Sequence, residues 1–303
     1  MKRFSIFIIS LWATAGFSQT LTDGLMMPKK NLCTGFLYGV DQWKNYWEGT
    51  LKRDNQNIGT LTTKSIMWMG VYGITDKINL IAMVPYVKTN ASGGTLQGQQ
   101  GIQDLTLGGK YNFFKRQWGK GTFNTFAVGT FSTPLTNYTP DFFPLSIGFA
   151  STNLAGRLTA NYQMDNGFYV NTSGGYTWRS NVTLDRPSYY TNNTFYETNE
   201  VKMPNVFDYN VDLGYHKNAL QVVLSYMQQN TLGGGDIRRQ DMPFVSNQMN
   251  FSKIGALVMY YLPKPKGLAV RAASSFVVTG RNVGQTSSVL GGLMYTIHFS
   301  KAQ

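Results

Sequence analysis

The sequence predicts an all-β protein: a transmembrane antiparallel up-and-down β-barrel of about twelve strands, with short periplasmic turns and long extracellular loops. Three observations predict it. Six alternating apolar/polar runs each reach a tyrosine and then meet a turn signal, at Tyr72, Tyr111, Tyr162, Tyr215, Tyr260 and Tyr295. The connections between runs alternate between short and long. No apolar run beyond the N-terminal leader approaches the ~18–20 residues of a spanning helix. A tyrosine at the same end of every second strand suits a lipid–water boundary, where the ring is apolar and the hydroxyl wet. The six tyrosines are therefore read as a periplasmic aromatic girdle. Backbone groups in lipid must be satisfied internally, so strands that cross must close into a barrel.

The elements follow in order. Lys2 and Arg3 precede the apolar stretch Phe4 to Ala15, and Gly16-Phe17-Ser18 supplies small residues for cleavage. Residues 1–18 are read as a secretory signal peptide, with Gln19 first in the mature chain. Residues 19–31 form a periplasmic lead-in or partial plug, and 32–303 the barrel. Strand-like runs lie near 32–40, 60–73, 77–88, 102–114, 121–132, 149–163, 167–179, 203–216, 219–230, 247–262, 268–279 and 286–299. Each is near or above the ~9–11 residues that cross a bilayer at a tilt. Tight connections lie at 74–76, 115–120, 164–166, 217–218 and 263–267. Long ones lie at 41–59, 89–101, 133–148, 180–202 and 231–246, and 280–285 is short. Either 41–59 or 180–202 has room for a further strand. An even strand count puts both chain ends in the periplasm.

Alternation assigns the faces. In 207–216, Phe207, Tyr209, Val211, Leu213 and Tyr215 oppose Asp208, Asn210, Asp212, Gly214 and His216. Side chains alternate with period 2, so the first set meets lipid and the second the lumen. Runs 60–73 and 77–88 are apolar on both faces, which calls for a plug over that part of the inner wall or for an apolar surface that ligands touch.

Composition excludes several classes. The single cysteine, Cys33, rules out an internal disulfide framework and reads as a small wall residue. The net charge of +12 falls to +10 once Lys2 and Arg3 leave with the signal. Many basic residues sit in the short turns, as at Lys77, Lys115, Arg116, Lys217, Lys264 and Lys266. They are not clustered on one face as a nucleic-acid partner would require. Basic turns suit anionic headgroups, and solvated turn lysines would look the same. No Cys/His cluster suits zinc and no phosphate-cradling loop appears, so neither metal nor cofactor is expected. The two histidines, His216 and His298, lie at strand ends, and neither Ser225 nor Ser300 is placed to make a catalytic group with them.

At Tyr72-Gly73-Ile74-Thr75-Asp76-Lys77-Ile78, Val84-Pro85-Tyr86 and Gly101-Ile102-Gln103-Asp104-Leu105-Thr106-Leu107-Gly108-Gly109-Lys110-Tyr111, the chain resembles the outer-membrane family associated with the meta-cleavage pathway of phenol degradation. Arg281-Asn282-Val283-Gly284-Gln285 and the closing strand are similar too. Gln103-Asp104 stands where the family pattern has Gly-Asp. The resemblance implies a transporter-type barrel for hydrophobic or aromatic compounds in the bacterial outer membrane. The aromatic-rich end Tyr295 to Phe299 resembles the signal read by the barrel-assembly machinery.

The lumen-facing candidates by parity are Asp104, Lys110, Arg157, Asn171, Arg179, Asp208, Asn210, Asp212, Lys253 and Arg271. They would line a path or bind a solute, or else pair across the interior and brace the wall. The loop aromatics Trp43, Tyr46, Trp47, Tyr138, Phe142, Phe143, Tyr189, Tyr190, Phe195 and Tyr196 would capture a ligand or pack on one another. The reading is a non-enzymatic channel for passive passage of small hydrophobic or aromatic molecules. Its partners are outer-membrane lipids, the assembly machinery and the solute. The runners-up are a structural or adhesion barrel with a closed interior, then an outer-membrane lipid-modifying enzyme. A secreted β-sandwich is the alternative fold.

Overall fold

The computed structural model describes residues 20–238 and 242–299. The signal-peptide and cleavage assignments, Arg239 and Ser300 lie outside the described residues. Twelve long strands form the wall: β1 (Asn31–Trp43), β2 (Leu61–Thr75), β3 (Ile78–Ala91), β4 (Asp104–Gln117), β5 (Gly121–Pro134), β6 (Asn153–Met164), β7 (Phe168–Arg179), β8 (Asn205–Lys217), β9 (Leu220–Leu232), β10 (Asn250–Tyr261), β11 (Leu268–Arg281) and β12 (Ser287–His298). Each pairs antiparallel with its neighbours in sequence. β1 also pairs with β12, from Asn31 opposite His298 to Gln42 opposite Ser287, which closes the barrel. Closure leaves no strand edge unpaired, the condition for strands in lipid.

The two candidate extra strands are not wall strands. Within the first long loop, Asn45–Glu48 pairs with Leu51–Asp54. Within 180–204, Val182–Thr183 pairs with Glu200–Val201, and Tyr189–Thr191 with Thr194–Tyr196. These ribbons are too short to cross a bilayer. β1 runs on past the expected end and takes in Trp43, which is a wall residue rather than a loop residue.

Alternation sorts the side chains as expected. Phe36, Ile66, Leu158, Leu213, Leu224, Ile254, Val289 and Leu293 are exposed on the outside, although all are apolar. Such a continuous apolar exterior is inconsistent with a soluble sandwich and consistent with contact to lipid. The six girdle tyrosines stand at the short-turn end. Tyr72 packs edge-on against Phe299 at 6.2 Å, Tyr215 against Phe168 at 5.1 Å, and the Tyr162 hydroxyl donates to the Trp118 carbonyl at 2.9 Å. The tight turn after β8 places Asn218 in the left-handed region at φ 57°, which asparagine tolerates better than most residues.

The core lies inside the barrel, not outside it. Met27, Cys33, Leu37, Met69, Val71, Ile81, Met259, Ala269 and Met294 form one buried cluster, with Leu21, Met67, Met83, Leu257, Tyr261 and Leu290 packed against it. A second cluster belongs to the long loops: Val182, Leu184, Tyr189, Val201, Met203 and Val245, with Phe143, Phe149 and Phe244 against it.

Candidate functional site: the barrel interior

The interior has two unlike walls. β1–β3 and β10–β12 present the methionine-rich cluster just described. β5–β8 present a row of amides and one carboxylate. Register aligns Asn124 with Asn161, Asn161 with Asn171, and Asn171 with Asp212. Asn171 and Asn210 both donate to the Asp212 carboxylate, at 2.8 and 3.0 Å. Two rows toward the long-loop end, Arg157 ion-pairs with Asp208, and it donates to Ser173 of the row between at 2.9 Å. Arg157 and Asp208 both flank Gly175, where a Cβ would come within 2.9 Å of the guanidinium. The glycine thus gives the pair room to bridge across β7.

The lead-in, from Thr20 to Lys30, runs between the walls. Its polar contacts go to one side. Lys110, fully buried on β4, donates to the Asp23 carboxylate at 2.7 Å and to the Asp23 and Thr20 carbonyls at 2.6 and 3.3 Å. Asn171 donates to the Thr22 carbonyl at 2.9 Å. At Gly24 a Cβ would lie 2.4 Å from Asn161, so only glycine lets the chain rest on the amide row. Its apolar contacts go to the other side, through Leu21 and Met27 into the methionine cluster. Leu21 and Met27 thus pack with Met69, Val71 and Ile81 of β2 and β3. Near the short-turn rim, the Lys30 amide donates to the Gly73 carbonyl at 2.8 Å and the Lys29 amide to Asp76 at 3.0 Å.

Three cavities follow one another along the axis. A vestibule of about 550 Å3 lies under the long loops, and Trp43, Arg179, Phe149 and Phe251 are among its lining residues. A mid-lumen cavity of about 400 Å3 lies along β9–β12, with Val223, Ser225, Leu257, Met259 and Arg271. A lower mouth of about 990 Å3 opens at the short-turn end, beside Leu25, Asn112, Asn161 and His216. The vestibule and mid-lumen cavity share Asp41, Lys253, Ser275 and Ser288. The mid-lumen cavity and the mouth share no lining residue. Thr20, Thr22 and Asp23 line one, and Gly24, Leu25 and Met26 the other, so the lead-in is the partition between them.

The long loops cover the vestibule. Leu145 is fully buried, and its carbonyl accepts from the Thr89 hydroxyl at 2.5 Å. The Tyr138 hydroxyl donates to Asp104 at 2.6 Å and accepts from the Ala150 amide at 3.1 Å. Burial first, and then that hydrogen bond, push the Tyr138 phenol well above its ordinary range. Tyr189 stacks between Tyr196 and Phe244 at 5.0 and 5.4 Å. The loop aromatics at 143, 189 and 196 therefore pack on one another. Asn282, at φ 55°, ties two loops to the rim. It accepts from the Gly49 and Ile237 amides at 2.8 and 3.0 Å, and donates to Asp236 and the Gln248 carbonyl at 2.6 and 2.8 Å. Arg281 holds Asp236 through two bonds at 2.8 and 2.7 Å and keeps its carboxyl below the ordinary aspartate range.

The ten parity candidates are thus distributed. Lys110, Arg157, Asn171, Asp208, Asn210 and Asp212 form one bonded network with the lead-in. Arg179 lies over the Phe149 ring at 5.3 Å in the vestibule, and Asp104 secures a loop. Lys253 stands between two cavities, and Arg271 reaches the Met69 sulfur at 4.0 Å beside the mid-lumen cavity. Parity missed Asp23, Thr20 and Thr22, which belong to no strand. It also missed Asp41, which the expected early end of β1 had left in a loop. The alternation Leu37, Gly39, Asp41 would have found it. His298 bonds Asn31 at the short-turn rim at 2.9 Å and His216 lines the mouth, whereas Ser225 lies at the mid-lumen cavity.

A family model described as "Putative MetA-pathway of phenol degradation" matches residues 55–290. Among solved structures, an outer membrane channel from Pseudomonas putida F1 is similar with a TM-score of 0.69 at 13% identity, over 90% of this chain and 97% of that one. The NanC porin aligns at a TM-score of 0.47 and 6% identity, over 86% of this chain and 98% of that one. The translocator domain of the autotransporter NalP from Neisseria meningitidis aligns at 0.46 and 9%, over 89% of each chain. No curated protein matches the sequence. The fold is that of the bacterial outer-membrane barrels.

Proposed function

The chain belongs to the family whose model spans residues 55–290, and from that membership and the interior just described we infer a passive outer-membrane passage for small hydrophobic or aromatic molecules. The observation that carries this reading is the series of three cavities along the axis, with the lead-in between the lower two. A barrel built only as a brace would fill its interior with side chains. Here one wall is methionine-rich, and unbranched thioethers adapt to apolar solutes of different shape. The other wall is polar and partly engaged in its own bonds, with Asn161 Nδ2 and Asn171 Oδ1 left without a partner among the described residues, so it offers weak sites that release what they hold.

The lead-in holds the resting path shut at mid-depth, and passage requires it to shift. The apolar exterior addresses outer-membrane lipids, and the aromatic closing strand addresses the assembly machinery. The Pseudomonas putida structure is described as a channel, which agrees with this reading. The test is planar-bilayer conductance of the detergent-folded protein, with and without small aromatic solutes. Intermittent openings whose current such a solute blocks support passage. A folded, inserted barrel that passes neither ions nor aromatic solutes into vesicles supports instead a closed structural or adhesive barrel. A lipid-hydrolysis assay that detects turnover would support the enzymatic reading.

A further inference from the structure

The vestibule and the mid-lumen cavity meet at four residues, Asp41, Lys253, Ser275 and Ser288. Register places three of them in one row: Asp41 opposite Ser288, Ser288 opposite Ser275, and Ser275 opposite Gly255. Gly255 carries no side chain, and Lys253 lies two residues further along the same strand. The row thus carries a carboxylate and two hydroxyls, and Lys253 adds an ammonium at the next inward position toward the long loops.

The charges elsewhere in the interior are already engaged. Asp23 is held by Lys110, Asp208 by Arg157, and Asp212 by two asparagine amides. Arg179 rests on Phe149, and Arg271 lies at the far end of the mid-lumen cavity beside Met259. Lys253 and Asp41 differ from these. They attract one another electrostatically, yet among the described residues neither makes an ion pair. Among the described residues, the Lys253 ammonium lies over the ring of Phe251, 5.9 Å away. The β10–β11 register also shifts between Ser252 and Lys253, leaving Val278 without a partner. Such bulges re-aim side chains and recur beside functional sites.

We propose that Lys253 and Asp41, with Ser275 and Ser288, form the specificity-determining neck of the passage, which admits solutes whose polar head both donates and accepts hydrogen bonds and disfavours heads of net charge. This rests on the passage reading above and names its selecting element. Two opposed charges set a field across the path. A hydroxyl or zwitterionic head aligns with it, donating to Asp41 and accepting from Lys253 or a serine. A net anion gains from Lys253 and loses to Asp41, and a net cation does the reverse. The apolar body of the solute then rests against Val223, Leu257 and Leu290 below.

The test is the potassium-to-chloride permeability ratio of the full barrel and of K253Q and D41N, each checked for folding by circular dichroism. K253Q is expected to raise the ratio and D41N to lower it, each by about threefold or more, the order expected for one partly solvated charge beside the path. Vesicle uptake of zwitterionic phenylalanine against the phenyl phosphate anion gives a second readout, with protein-free vesicles as the baseline. The unsubstituted barrel favours phenylalanine, and D41N raises phenyl phosphate uptake relative to it. A conducting barrel whose ion and solute selectivities are unmoved by either substitution overturns the neck alone. A barrel that passes neither ions nor phenylalanine overturns the passage reading and the neck with it.

Discussion

Replacing Lys110 by methionine removes the cation that fastens the lead-in while keeping the length of the side chain. The ammonium is fully buried and makes three contacts with the lead-in, one of them an ion pair with a carboxylate that is itself only 15% exposed. Breaking a buried pair from one side costs about 3–5 kcal/mol, because the other charge stays in a poorly solvated site. Asp23 keeps some water, so the lower end applies. About 3 kcal/mol shifts the balance between docked and withdrawn lead-in by on the order of a hundredfold. Single-channel recording in planar bilayers reads that balance. K110M should spend far more time in a high-conductance state than the unsubstituted protein, and D23N should move the same way. K110M with D23N should open less than either single change, since it leaves no buried charge unpaired. A variant lacking residues 20–27 sets the fully open level. If that deletion opens the barrel and K110M does not, the lock reasoning is wrong. If the deletion does not open it, the lead-in is not the obstruction.

Three further expectations test other parts of the argument. A Cβ on Gly73 would lie 2.1 Å from the Pro28 carbonyl, so G73A should displace the lead-in at the rim and raise conductance, without lowering the unfolding midpoint of the barrel by more than a few degrees. Leu224 is exposed in the middle of β9, and L224R should destabilise the lipid-inserted barrel by about 2–4 kcal/mol in urea titrations, as expected near a bilayer midplane. Asp236 lies below the ordinary aspartate value of 3.8, mainly through its bond to Arg281. Its contribution to loop anchorage is complete above that value and lost as pH falls through its own lower one. Current noise from the 233–249 loop should then be flat from neutrality to about pH 5 and rise only below about pH 4, and a rise already complete at pH 5 would contradict this assignment.

Much of the wall could be read from the chain itself. Alternation with period two in Phe207 to Tyr215 depends only on neighbours along a strand. The tyrosine before each short turn answers to a lipid–water boundary that has the same chemistry at every strand. Twelve runs therefore mapped onto twelve strands, with ends shifted by a few residues where turn and strand signals overlap. The double-sided apolarity of β2 and β3 left two readings open, a plug over the inner wall or an apolar surface that ligands touch. What covers that wall was not legible. Lys110 meets Asp23 across 87 positions, and Asn282 meets Gly49 across 233. Parity gives the face of a residue and says nothing of its partner there.

The kind of wall, its orientation by turn length, and the sorting of side chains between lipid and lumen follow from local period and a uniform solvent, and so are written along the chain. The interior depends instead on closure of the barrel. Closing β1 on β12 fixed which strands face one another. That closure split the lumen into a methionine wall and an amide wall, drew the lead-in between them, and left Lys253 and Asp41 opposed at the neck. Those outcomes depend on how residues far apart in sequence share one narrow space, and no repeating local pattern encodes that.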